Sequence, residues 1–220
     1  MRDAESRFET LRMTVVERRI AARGETGIRS TLWLRHPGRS RLVQGEADGP
    51  ARGGYQAWIG DGETITHYDA DANVVRTRHR LAIPRGADSD RDLPSFGRVY
   101  RPMTPLPTGS IVDTFVHPHG LCRNVLATGE LWDEGLDAVA GREVGVLRCD
   151  HPRTAKMLAD RPDHQLVVAF DRVTGLVLLL EERSGGQVTR HAEVTSLSLD
   201  EPIHDETFEL HLSPEVRRLY

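Results

Sequence analysis

Turn residues recur along this chain at hairpin spacing, which confines it to a meander of antiparallel strands. Asp61-Gly62 parts 55–60 from 63–69, and an Asp-Gly pair supplies the positive φ angles of a two-residue type I′ turn. Pro37-Gly38 stands between 27–36 and 39–46, and Ala70-Asp71-Ala72-Asn73 stands before 74–80. Gly141 breaks 130–139 from 143–150, Thr174-Gly175 parts 165–171 from 176–183, and Ser184-Gly185-Gly186 precedes 187–200. The spacing predicts a mainly β protein of about eleven strands.

Side-chain alternation agrees. Ile28, Ser30, Leu32 and Leu34 alternate with Arg29, Thr31, Trp33 and Arg35, giving one apolar and one mostly polar face. Within 11–22 the apolar parity switches between Val15 and Val16, which predicts a bulge or sharp bend there. Leu166, Val168 and Phe170 face one way, Val167 and Ala169 the other, and 176–180 is apolar on both sides. Strands of that kind need cover on two faces, or line something apolar.

Helix is scarce. Residues 3–11 predict a short N-terminal helix with Phe8 and Leu11 on one face. A helical insertion over 111–127 follows from Ile111, Val112, Phe115 and Val116, then Leu121, Cys122, Val125 and Leu126, with Gly129 as C-cap. Before it lies a loop over 83–107 holding Pro84, Pro94, Pro102, Pro105 and Pro107. A loop that long is expected to be a lid, a binding loop or an insertion, and the first site of proteolysis. No internal repeat or boundary divides the chain, so 1–220 reads as a single domain.

The 220 residues are 38% hydrophobic and 28% charged, which excludes fibrous and wholly disordered classes. The longest apolar run, 176–180, is far below the roughly 18 residues of a membrane-spanning helix. A net charge of −4 gives no pull toward nucleic acid, although Arg76, Arg78 and Arg80 form a basic stripe on one strand face. The first residues are charged and lack an apolar core, so the expected location is cytoplasmic as written, and extracytoplasmic if a leader has been removed.

Catalytic signatures are missing. There is no phosphate-binding loop, no nucleophile elbow and no His-Glu-x-x-His. Asp133-Glu134 and Glu181-Glu182 are sequence neighbours, so on strands they point to opposite faces and cannot act on one bond. Asp69, Asp71 and Asn73 have calcium-loop spacing without the following Gly and distal Glu, and read as a turn. No cofactor and no enzymatic activity are expected. His119 and Cys122 share a helix face, and Cys149 and His151 share a strand face; a helix lying on that strand could offer all four to a metal. His117 stands beside them in the motif His-Pro-His. The ligand spacing matches no known zinc module, and a Cys122–Cys149 disulfide or two buried free thiols compete with the metal reading.

Three clusters carry a resemblance. They are Phe8-Glu9-Thr10-Leu11 with Gly27 and the run from Thr31 to Arg41; Val139-Ala140-Gly141-Arg142-Glu143-Val144 with the run from Phe170 to Leu176; and Glu201-Pro202-Ile203 with Phe208-Glu209-Leu210. In these and in element order the chain resembles the lipoprotein-carrier fold, the family of the periplasmic carrier LolA, its receptor LolB and the N-terminal domain of the anti-sigma regulator RseB. The resemblance implies a single antiparallel half-barrel whose concave face is covered by the 111–127 helices and can hold acyl chains. It implies non-catalytic binding of an apolar or lipid-like ligand, with Leu32, Leu34, Phe115, Leu126, Leu166, Val168, Phe170 and Leu178 as candidate lining. The alternative it implies is an RseB-like regulatory module whose same face binds a peptide or partner protein. It also implies that 118–127 folds back over its own following strands, which would bring Cys122 toward Cys149.

Overall fold

The computed structural model describes residues 1, 3–21, 24–49, 54–79, 102–152 and 163–219. Six strands, β1 (Thr10–Ala21), β2 (Gly24–Arg35), β3 (Arg39–Glu46), β4 (Tyr55–Asp61), β5 (Thr64–Asp69) and β6 (Val74–His79), precede two short helices. The helices are α1 (Ile111–Val116) and α2 (His119–Asn124). Five long strands follow: β7 (Glu130–Val139), β8 (Arg142–Asp150), β9 (His164–Asp171), β10 (Val177–Ser184) and β11 (Gln187–Leu199). A last short strand, β12 (Arg217–Leu219), ends the chain's regular structure. All twelve form one open sheet in the order β12-β6-β5-β4-β3-β2-β1-β11-β10-β9-β8-β7. The sheet curls until β7 comes back toward β11, without closing into a barrel.

Each predicted turn connects its pair of strands. Ala140 and Gly141 both have positive φ, 50° and 75°, as do Gly185 and Gly186, 57° and 76°, which is the two-residue geometry that matches strand twist. Gly38 is needed for a second reason: a Cβ there would stand 2.9 Å from the Cα of Gly62, so the β2–β3 and β4–β5 turns lie side by side. The strand count exceeds the expected eleven by β12, which pairs parallel to β6, the one parallel contact of the sheet among the described residues.

Two sequence expectations are corrected. The parity of β1 does not switch at Val15: Leu11, Met13, Val15 and Glu17 are all buried on one face. The bulge lies in the partner strand β11, where Thr195 is the extra residue between Val194, opposite Val15, and Ser196, opposite Thr14. The apolar alternation breaks because a carboxylate holds an inward position. Glu17 accepts from Arg19 Nε at 2.7 Å and from Arg190 Nε at 2.8 Å, and a buried charge persists only when paired in this way. The N-terminal helix is likewise reduced to a 3-10 turn, Ala4–Arg7, and Leu11 belongs to β1.

The core sits where α1 covers the inner face of the sheet. Ser110 caps α1 by accepting from Asp113 N, and Ile111, Val112, Phe115 and Val116 are buried. They join Leu11, Met13, Leu32, Leu34, Val168 and Leu178 in one cluster. No described helix is long and apolar enough to cross a membrane. Most of the 83–107 loop, 83–101, lies outside the described residues, and so does Arg80. The end of the loop is anchored, with Thr104 and Leu106 buried.

Residues 200–219 form a strap that the turn pattern did not foretell. Arg35 and Arg39 pair with Asp205, and Arg41 donates to the carbonyls of Thr207 (3.0 Å) and Glu209 (3.3 Å). These arginines belong to the polar face of β2 and β3, so the strap crosses the face opposite α1.

Leu34 is fully buried under α1, so Leu34→Ala should lower unfolding free energy by about 2–5 kcal/mol, read from the urea midpoint.

Candidate functional site

The register carries one face across the whole sheet. Leu11, Met13 and Val15 stand opposite Leu34, Leu32 and Ser30 on one side, and Val194 continues the row on the other. The same face then runs through Leu180, Val168 and Leu166, and on to Leu147 and Cys149. It ends on Leu131, opposite Cys149, and Leu136, opposite Gly145.

The eight nominated lining residues divide sharply along that face. Leu32, Leu34, Phe115, Leu126, Leu166, Val168 and Leu178 are buried and belong to the packed core. Phe170 is only half-buried. Its ring lies over Gly145, where a Cβ would come within 2.7 Å of Cζ. Leu147 beside it is half-buried, Leu131 is 50% exposed and Leu136 62% exposed. An apolar surface therefore runs from the core out to solvent along β9, β8 and β7. We call it the trough.

Leu131 and Leu136 were missed from the sequence for an identifiable reason. In a regular strand, positions five apart face opposite ways. Here Asp133 stands opposite Leu147 and Gly135 opposite Val146, so Glu134 is an extra, bulged residue. The bulge restores Leu136 to the face of Leu131. Its only sequence signal is Gly135, which has a φ of 92°.

The closed end of the trough is built by the helical insertion, which does fold back over β8. Cys149 Sγ donates to Leu126 O at 3.7 Å, and a Cβ on Gly129 would stand 2.5 Å from that sulfur. The disulfide is not formed: Cys122 is half-buried on α2 and Cys149 is buried. Burial raises the Cys149 pKa, which makes it a packing residue rather than a nucleophile. Among the described residues no three His, Cys, Asp or Glu side chains gather as a metal site. His119 and Cys122 remain on α2, while His151 is exposed just past β8 with a φ of 52°.

A second polar constellation ties the helices to the N-terminus. Buried His117 lies between two carboxylates, with Nδ1 2.9 Å from Asp113 and Nε2 3.3 Å from Glu5. Glu5 also accepts from Met103 N at 2.9 Å. Nearby, His36 Nδ1 and Gly38 N both meet Thr104 Oγ1 at 2.8 Å. Burial opposes a charge on His117, but bonds to Asp113 and Glu5 outweigh it and raise its pKa. Both ring nitrogens are thus taken up by carboxylates. His117 acts as a clamp joining the 3-10 turn, α1 and residues 102–104. Burial lowers the pKa of His36, and also of His67, which stacks on Trp58 at 4.7 Å.

The remaining candidates fall on surfaces. Arg76 and Arg78 are exposed. Asp69 Oδ1 accepts from Ala72 N at 3.0 Å, as the turn reading requires. On the face opposite α1, Ile59, Thr66, Val75 and Thr77 form one wall of a cavity of about 300 Å³ beneath Leu210 and Leu212 of the strap.

The open, mainly β sheet with its helical insertion is similar in fold to the LolA/RseB-like kind that the sequence resembled. Among solved structures, MucB is 20% identical with a TM-score of 0.54, the match covering 95% of this chain and 60% of MucB. The Pseudomonas aeruginosa MucA/MucB complex gives 19% identity and a TM-score of 0.52, covering 96% of this chain and 59% of the matched one. An uncharacterized conserved protein from Thermus thermophilus gives 8% identity and a TM-score of 0.52, covering 99% and 94%. At such identities the likeness is one of fold, and this chain spans about six-tenths of MucB. No protein-family model and no curated protein matches the sequence.

The His117 clamp sets a pH dependence. A folded pKa above the ordinary 6.5 means the contribution is complete below that value and lost as pH rises through the raised one. His36 and His67, with lowered values, act oppositely and weaken the fold as pH falls below 6.5. His117→Gln should therefore cost about 1.5–3 kcal/mol at pH 6, as expected for hydrogen bonds to charged groups, and much less at pH 9. Tm across that range checks it.

Proposed function

We propose that this protein is a non-catalytic binding module that receives an apolar or lipid-like ligand in the trough. The observation that carries the reading is the apolar surface from Leu166 and Val168 through Phe170 and Leu147 to exposed Leu131 and Leu136, interrupted on β7 by Asp133 between the two leucines. A chain laid along it would bury apolar area on both sides, at about 25 cal/mol per Å². Leu126 and Cys149 would stop its inner end. In this reading Leu32, Leu34 and Leu178 of the sheet and Phe115 of α1 pack together in the core rather than touch the ligand.

A non-enzymatic role is supported by the occupied nitrogens of His117 and by the raised pKa of Cys149. The net charge of −4 speaks against nucleic acid as a partner. A protein partner is the second reading. It is favoured by the exposure of β7 and by MucB having been solved in complex with MucA(peri).

In protein stripped of bound lipid, a polarity-sensitive fluorescent fatty acid should bind one site per chain with micromolar affinity. Leu136→Asp should weaken it by about tenfold or more, roughly 1.4 kcal/mol, with little change in Tm because Leu136 is exposed. Val168→Asp should instead unfold the protein, since Val168 is fully buried. Failure of the probe to bind would reject the lipid reading in favour of the partner.

A further inference from the structure

The two ends of the sheet are finished differently. At one end β12, at the tip of the strap, covers the outer edge of β6. At the other end β7 bonds β8 along one edge, and no strand pairs with its second edge among the described residues. Natural sheets blunt such edges with lysine, proline, short length, bulges or inward-pointing charges, of which β7 has the last two, at Glu134 and Asp133. β7 has ten residues, none of them Lys, Arg or Pro, and every residue except Val139 is exposed. Its bulge at Glu134 divides the edge into two straight stretches.

The side chains along this edge have a definite character. Four of its ten residues are acids: Glu130, Asp133, Glu134 and Asp137. Arg148 neutralises Glu134 at 2.7 Å and lies 5.6 Å above the Trp132 ring. Glu130, Asp133 and Asp137 form no ion pair among the described residues. Between the acids stand Leu131, Leu136 and Trp132, the last 51% exposed. Leu131, Asp133 and Leu136 share the trough face, while Trp132 and Asp137 share the opposite one.

We propose that the free edge of β7 docks an extended segment of a partner protein in which lysine or arginine alternates with β-branched residues. The segment adds to the sheet as a further strand. Its backbone bonds the outward N–H and C=O groups of β7 other than Gly135 N and Ala138 N, which Asp133 and Asp137 hold. Its cations, all on one face, lie beside Glu130 and Asp137, and its β-branched residues on the other cover Leu131 and Leu136. A second copy of this chain does not fit. Antiparallel pairing of β7 with itself gathers the acids of both copies on one pair of strands that carries no Lys or Arg, and β12 offers only three residues to a head-to-tail contact. The inference deepens the partner reading and does not require a ligand in the trough, although it shares Leu131 and Leu136 with one.

The test uses the full chain and an end-capped ten-residue peptide alternating lysine with valine. One control replaces lysine by glutamate. A second keeps the composition but uses D-valine, which preserves charge and hydrophobicity while preventing a pleated strand. Trp132 emission, identified by its loss in Trp132→Phe, reports binding, and amide hydrogen exchange reports where. The expected result is micromolar binding of the first peptide, with exchange slowed over Glu130–Val139 and not over Val74–His79. Both controls should bind at least about tenfold more weakly. Asp137→Lys should weaken the first peptide by about fivefold or more without moving Tm, because its side chain is exposed. Equal binding of the D-valine peptide would reduce the effect to surface charge and overturn strand addition. Absence of binding, or a dimer held through β7 in sedimentation, would also overturn it.

Discussion

Pairing between β1 and β11 makes one sheet out of two meanders. The strands β1–β6 and β7–β11 are each stacks of local hairpins, cheap to close because their partners are adjacent in sequence. Joining them requires Leu11 to meet Leu199 and Arg19 to meet Arg190, across most of the chain. That long closure is offset by burying Met13, Val15, Ala192 and Val194 on one face. Only then does α1 have a floor, because it packs on β1 and β10 together.

The ion pair at that junction also sets its register. Glu17 faces inward beside Arg190, which Glu182 Oε1 holds from β10 at 2.9 Å. A slip of one residue would turn Glu17 to the other face and separate it from Arg190. Losing the partner of a buried carboxylate is costly, so the pair acts against wrong registers more than it adds net stability. The inner face is thus divided, apolar under α1 and ionic farther along β1.

The trough and the free edge have one origin. β7 follows directly from the helical insertion and has a single neighbouring strand, β8, among the described residues. The insertion covers only its start, through Leu126 above Cys149. Beyond that point both faces of β7 meet solvent. An apolar inner face and an acid-rich edge therefore lie on the same ten residues, where a ligand and a partner would feel each other's presence.

The chain's own residues determined what is local. Hairpins and their ends were legible because Gly141, Gly185 and Gly186 adopt positive φ at little cost, and because 111–116 alternates with helical period. The face that Phe170 shares with Leu166 and Val168 was legible from strand alternation. Tertiary structure decided the rest. The β7 bulge moved Leu136 onto the face of Leu131, the bulge at Thr195 sat in the partner of the strand where the parity pointed, and Glu17 broke the apolar pattern while keeping its inward place. The strap was hidden because its anchors are arginine contacts with Asp205 and with backbone carbonyls, which no periodicity records. No disulfide joins the two thiols, and Cys149 turns its sulfur to the carbonyl of Leu126. Local sequence governs φ, ψ and the period of a strand or helix, whereas the face a residue finally presents depends on how many residues its partner strand sets opposite it, and that count exists only once the sheet has formed.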